Sequence, residues 1–188
     1  MDYKLLSYTA LDGIPTLRDS FIRGLFERMQ KEGLVERVFY DGSVRTPHDF
    51  LNMMKFGKNS LSVIEYDGAV AGCCWLNNFD MRRAEFHFCF FENLRGTDAV
   101  DIGKEVVTDL LYLDDVSGNP LFDLLFGMTD VNNVPAVRWC EAMGFDSLGI
   151  MPSALWNAEL KKSVPAHIWY VERNRYGRKR RKHHNNDE

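Results

Sequence analysis

No apolar run in this chain approaches the roughly 20 residues that span a bilayer. Its start, Met1-Asp2-Tyr3-Lys4, has neither the charged nor the apolar region of a secretion signal. A membrane partner is therefore not expected, and a soluble, cytoplasmic protein is. Cysteine is sparse as well: Cys73, Cys74, Cys89 and Cys140 sit among apolar or aromatic neighbours and form no C-x-x-C pair. That pattern argues against a disulfide framework or zinc knuckle and for buried thiols, so no metal is expected. Internal repeats, low-complexity core segments and a linker before residue 173 are also missing, and the 188 residues read as one domain. What is present is core material. At 45% hydrophobic and 13% aromatic, wholesale disorder is excluded.

Charge is distributed unevenly behind a net value of -4. Residues 173–188 carry seven basic groups against two acidic ones, leaving sixteen basic and twenty-five acidic groups in residues 1–172. An acidic body repels a nucleic-acid backbone, so any such contact has to come from the tail. The tail has no apolar periodicity, and its Gly177 and Asn185-Asn186 suit a flexible extension. The division expected is a folded domain over 1–172 and a basic tail over 173–188, the tail being either simply solvated or a tether to an anionic partner.

Periodicity places the elements. Tyr3 to Tyr8 reads as a strand, and Thr16 as the cap of a helix carrying Leu17, Phe21, Leu25 and Met29, stopped by Gly33. A second helix starts at Thr46-Pro47, with Asp49 completing a capping box and Phe50, Leu51 and Met54 inward. Ser60–Tyr66 and Ala69–Leu76 flank the tight-turn pair Asp67-Gly68, and after Asn77-Asn78 comes a strand from Arg83 to Phe91. In that strand Phe86, Phe88 and Phe90 alternate with Glu85, His87 and Cys89, so the polar set shares one face. A helix over Asp98–Tyr112 has Ile102, Val106, Leu110 and Leu113 inward, and Leu121–Met128 is an apolar strand. The next helix starts near Pro135 and stops at Gly144, ahead of strands over Phe145–Trp156 and Ala166–Glu172. The order β-α-α-β-β-β-α-β-α-β-β predicts an α/β fold: a mixed sheet of about seven strands flanked by four helices.

That order, with Asn133-x-x-Ala136-x-x-x-Cys140-x-x-x-Gly144-Phe145, resembles the GNAT superfamily of acyl-CoA-dependent N-acyltransferases over roughly residues 3 to 172. The resemblance implies a GNAT-like fold and transfer of an acyl group from acetyl-CoA or another acyl-CoA to an amine in a ternary complex. It also implies a pyrophosphate site at the start of a helix, where backbone N–H groups and the helix dipole meet the phosphates. The matching stretch is Arg95-Gly96-Thr97-Asp98-Ala99-Val100. Arg95 fits the pattern, but Asp98 stands where the family has glycine and Val100 where it has glycine or alanine, so the loop is degenerate. Asp98 either caps the helix, taking the donors a pyrophosphate would use, or is a tolerated variant of the phosphate loop.

By the same resemblance Glu85 is the general base with His87 beside it, and backbone N–H groups around Phe90 and Phe91 hold the thioester carbonyl and the pantetheine arm. Asn133 either caps its helix or orients substrate. Cys140 takes the place of the family's tyrosine, which protonates the leaving thiolate. Cysteine is a weak donor that packs as a small hydrophobe, so Cys140 reads as core or as a proton donor. The segment 157–164 corresponds to part of the acceptor pocket. The acceptor is a small molecule or a protein N-terminus, and a homodimer is compatible with the chain. The alternative is a GNAT-fold protein without catalysis, of the type carried by tailed phages, acting through protein contacts as an assembly or virion component.

Overall fold

Turn chemistry and apolar alternation build a sheet that parts in its middle. The computed structural model describes residues 2–11 and 14–176. Its strands are β1 (Tyr3–Ser7), β2 (Ala10–Leu11), β3 (Ile14–Pro15), β4 (Ser60–Tyr66), β5 (Ala69–Asp80), β6 (Arg83–Phe90), β7 (Leu124–Asp130), β8 (Asp146–Asn157) and β9 (Lys162–Glu172). The helices are α1 (Asp19–Lys31), α2 (Val35–Val38), α3 (Pro47–Lys55), α4 (Gly96–Leu111) and α5 (Val134–Met143). Seven strands form one sheet in the order β1-β4-β5-β6-β7-β9-β8, while β2 and β3 pair as a small separate hairpin. Every neighbouring pair is antiparallel except β6–β7, which is parallel.

Each face of the sheet is covered, which makes two cores. On one side α4 and α5 bury Ile102, Val106, Leu110, Cys140 and Met143 against Phe86, Leu125 and Trp169. On the other α1 and α3 bury Ile22, Phe26, Met29, Phe50 and Met54 against Leu61, Val63 and Trp75. At α3 the capping box is complete: Asp49 N–H donates to Thr46 Oγ1 and Thr46 N–H donates to the Asp49 carboxylate. Asp67 and Gly68 both adopt positive φ, as a two-residue hairpin turn between twisted strands requires.

Four local expectations are corrected. Thr16 does not cap α1; it donates to Ser7 O and accepts from Thr9 N–H, closing the β2–β3 hairpin, and α1 begins at Asp19 with no side-chain cap. Phe21 is consequently exposed while Ile22 and Phe26 point inward. Leu113 falls beyond the end of α4 and is exposed. The strand expected to end at Leu76 does not: β5 continues through Asn77 and Asn78 to Asp80, and the chain reverses at Met81-Arg82.

The packed body extends through Tyr176. Arg173 donates to Leu111 O and Asp114 and lies over the Tyr112 ring, and Tyr176 packs with Phe145. The basic run from residue 177 onward lies outside the described residues. Among the described residues no helix is long and apolar enough to cross a membrane, and no group of His, Cys, Asp and Glu could hold a metal ion.

Candidate active site

β6 and β7 begin side by side and then separate. Only Arg83, Ala84 and Glu85 pair with Leu124, Leu125 and Phe126. Past that point each strand keeps its other neighbour: β6 remains bonded to β5 as far as Phe90, and β7 to β9 as far as Asp130. The sheet therefore opens as a V with Glu85 at its fork. Phe91 N–H bonds to Ala71 O, which fixes the alternation along the β5–β6 ladder. Phe88 and Phe90, at the positions between, turn their peptide groups away from β5 and into the opening.

The polar face of β6 looks toward α1 and α3, and its groups are paired. Glu85 is 7% exposed. Its carboxylate accepts a 2.6 Å hydrogen bond from Asn78 Nδ2, and burial raises its pKa above the ordinary carboxylate value, with the Asn78 bond acting in the opposite direction. His87 stacks flat on Trp75, ring centroids 4.9 Å apart, with Nε2 at 3.0 Å from Asn77 Oδ1. Desolvation lowers the His87 pKa to about 4, so its imidazole is neutral at ordinary pH. Asn77 and Asn78 hold these two groups because β5 bulges there: Asn78 sits at φ +48°, and the register slips between Asn77 and Asp80.

Sequence reasoning missed both asparagines by ending the strand at Leu76, before either of them. It also missed Tyr40 and Asp130. Tyr40 packs beside Met128, Leu155 and Ala166 on the same face as Glu85. Its pKa is raised to about 12, first by burial and then by the charges of Asp41, Glu85 and Asp130. A cavity of about 530 Å³, with Tyr40 in its wall, opens on this side between the α2 turn and the β8–β9 hairpin.

The helix that should receive phosphate is arranged differently from expectation. Arg95 is its N-cap residue and extended, Gly96 follows at φ +64°, and no side chain caps the first turn. A left-handed residue followed by helical ones turns successive N–H groups toward one point, the geometry of an anion cradle. Asp98 is not the cap. It lies within the first turn, and its carboxylate accepts a 3.4 Å bond from Tyr66 Oη. Arg95 folds back, donating from Nη1 to Phe90 O at 2.8 Å across the mouth of the opening. Thr97 is exposed, whereas Ala99 and Val100 pack into the α4–α5 core and Ala99 O accepts from Trp139 Nε1.

Phe91 is turned away from the opening. Its side chain is fully buried beneath the Arg28 guanidinium, and its amide is taken by Ala71 O. The next amide, Glu92 N–H, donates to Glu32. Arg28 also bonds Val70 O and Asn93, so α1 pins the whole 91–93 loop. Of the amides expected to meet the carbonyl, Phe90 alone faces the opening. Asn133 caps α5, accepting from Ala136 N–H. Cys140 is buried on α5 with its thiol bonded to Thr129, and burial pushes its pKa up to about 12. Both residues lie on the α5 side of the sheet, apart from Glu85 and His87.

No family model matches the chain, and no curated protein does. Solved structures do. A spermidine N-acetyltransferase from Vibrio cholerae, in complex with CoA and spermine, superposes with a TM-score of 0.64 at 15% identity, over 93% of this chain and 97% of that one. An acetyltransferase from Salmonella typhimurium that modifies the N-terminal serine of ribosomal protein L7/L12 gives 0.69 at 12% identity, over 90% and 94%. An N-acetyltransferase from Staphylococcus aureus Mu50 gives 0.63 at 13% identity, over 93% and 99%. Similarity at these identities is similarity of fold, and the chain has the GNAT acyltransferase fold.

Proposed function

We propose that this protein is an acyl-CoA-dependent N-acyltransferase that moves the acyl group directly to an amine in the V between β6 and β7. The parting of the sheet immediately after Glu85 is the observation that carries this reading. The acyl-CoA enters from the α4 side, its pyrophosphate at the uncapped first turn of α4 and its pantetheine arm along the Phe88 and Phe90 peptide groups. The thioester carbonyl accepts from one of those amides, which stabilises the oxyanion as it forms. Glu85 accepts the proton of the incoming ammonium. The nitrogen then bonds to the acyl carbon, the C–S bond breaks, and the second proton shed by the nitrogen as the amide forms passes through water to the departing sulfur.

Two features favour direct transfer over an acyl-enzyme. Cys140, bonded to Thr129 with its pKa near 12, stays a thiol and is a poor nucleophile. His87, neutral and stacked on Trp75, orients the β6 face and carries no charge into the site. The test is acetyl-CoA binding by calorimetry, followed by release of the CoA thiol with a panel of amines. At about 100 times its dissociation constant a ligand stabilises the folded state by roughly 2.7 kcal/mol, a shift that a melting curve registers. Binding that weakens in Arg95→Ala supports the reading. Absence of heat and of any melting shift, with acetyl-CoA and longer acyl-CoAs alike, overturns it in favour of a fold acting through protein contacts.

A further inference from the structure

Arg95 stands between the two places at which the proposed donor is held. Its guanidinium donates from Nη1 to Phe90 O at 2.8 Å, joining the N-cap of α4 to the last residue of β6. The two ends of that bond are held unequally. The Phe90 carbonyl is fixed, because Phe91 N–H is bonded to Ala71 O, Leu94 N–H closes back on Phe91 O, and Arg28 ties the 91–93 loop to α1. Arg95 is exposed, and a long side chain in water keeps its rotamer freedom. Among the described residues no carboxylate lies within ion-pair distance of it, although Asp98 follows within the same turn. A Cβ placed on the neighbouring Gly96 would meet no atom within 4 Å, so the space over the turn is open. A full positive charge is thus held on a neutral carbonyl, at the edge of an open turn of backbone donors.

That carbonyl has a second use. Phe90 lies past the last β6–β7 pair, and its N–H and C=O both face the opening. A pantetheine arm laid along β6 carries amide N–H groups, and Phe90 O is the acceptor at the mouth. While Arg95 holds it, an arm amide entering there finds its acceptor taken and a cation in its path. We infer that Arg95 is a latch that makes the donor's phosphates the key to the arm groove. Pyrophosphate on the α4 turn draws the guanidinium off Phe90 O, since a bond between two charged partners is stronger than one to a neutral carbonyl. The freed carbonyl then accepts from the arm. Arg95 is therefore a specificity-determining residue: it favours a thioester that carries pyrophosphate over the same thioester on a phosphate-free arm. The inference rests on the transferase reading for where the donor lies, and it adds that the two halves of the donor bind cooperatively.

Its test is calorimetric titration of the full chain with the two halves of CoA, pantetheine and adenosine 3′-phosphate 5′-diphosphate, each alone and with the other saturating. Pantetheine should bind the parent about tenfold more tightly when the nucleotide is present, and the nucleotide should gain by the same factor from pantetheine. In Arg95→Ala, pantetheine alone should bind as it does to the nucleotide-loaded parent, the coupling should vanish, and the nucleotide and whole CoA should both weaken. These opposite signs are the signature. Loss of a phosphate contact alone leaves pantetheine unchanged, and a damaged fold weakens both halves; an unchanged melting temperature checks the latter. Pantetheine affinity that ignores the nucleotide in the parent, or fails to improve in Arg95→Ala, overturns the inference, and CoA binding with turnover in that case leaves the transferase reading standing. Coupling without acyl transfer to any amine leaves the latch and removes the transfer, whereas failure of both halves and of whole CoA to bind overturns both.

Discussion

The fork at Glu85 and the first turn of α4 are two ends of one proposed site, built on opposite physical terms. At the fork, Glu85 and His87 are withdrawn from water and each has a hydrogen-bonding amide partner, Asn78 and Asn77. At the helix terminus, Gly96, Thr97 and Asp98 are exposed, and no side chain serves the backbone donors. Burial tunes proton affinity by several kcal/mol, whereas an exposed helix end contributes of order 1 kcal/mol and is screened by salt. The proposed chemistry is therefore placed where the protein is dry, and the proposed cofactor capture where it is open.

The sharpest way to break that contrast is Glu85→Gln. With the proposed base gone, acyl transfer should fall by about a hundredfold or more while acyl-CoA affinity changes little, measured as kcat against KM. Loss of binding with kcat intact would place Glu85 outside the chemistry.

A second effect is read from acid stability. The unfolded His87 titrates near 6.5 and the folded one at about 4, so between those values the unfolded chain binds the extra proton. Folding stability attributable to His87 is complete above about pH 6.5 and lost as the pH falls toward 4, by about 3 kcal/mol at most. Glu85 works in the opposite sense, because its raised pKa favours the folded state at low pH and the contribution declines as pH rises through it. Urea midpoints for the parent and His87→Gln from pH 4 to pH 7 should show the variant's slope flattened.

Asn78→Ala leaves the Glu85 carboxylate buried without its donor. The Glu85 pKa should climb further, and the rising limb of the rate–pH profile should move to higher pH with about tenfold loss near neutrality. An unmoved profile would separate Asn78 from the base. The smallest change is expected at the open end. Asp98→Asn removes a negative charge from the α4 first turn and should tighten acyl-CoA binding about threefold to tenfold at low salt, the gain fading with added salt.

Where the sequence was legible, the signals were local. The Thr46–Asp49 capping box, the Asp67-Gly68 turn and the Asn133 cap each depend on residues within three or four positions of one another, and each formed as read. The alternation along β6 correctly put Glu85 and His87 on one face and the phenylalanines on the other. Thr16 shows the limit of such reading: a good capping residue was claimed by Ser7 and Thr9, already brought near by the hairpin. Arg95 shows it again. A cation before a helix suited a phosphate, yet the Phe90 carbonyl, left unpaired by the parting of β6 from β7, lay within its reach.

The sequence by itself determined the element types, the turns between most of them, and the two faces of β6, because propensity, capping and period act over a few residues. Tertiary structure alone decided that β6 pairs with β7 for three residues and no further. It also decided that Asn77 and Asn78 reach His87 and Glu85 from a bulged neighbour, and that the β8–β9 hairpin closes a cavity against Tyr40. Those outcomes depend on register and packing between segments far apart in the chain, and no local signal in either segment carries that information.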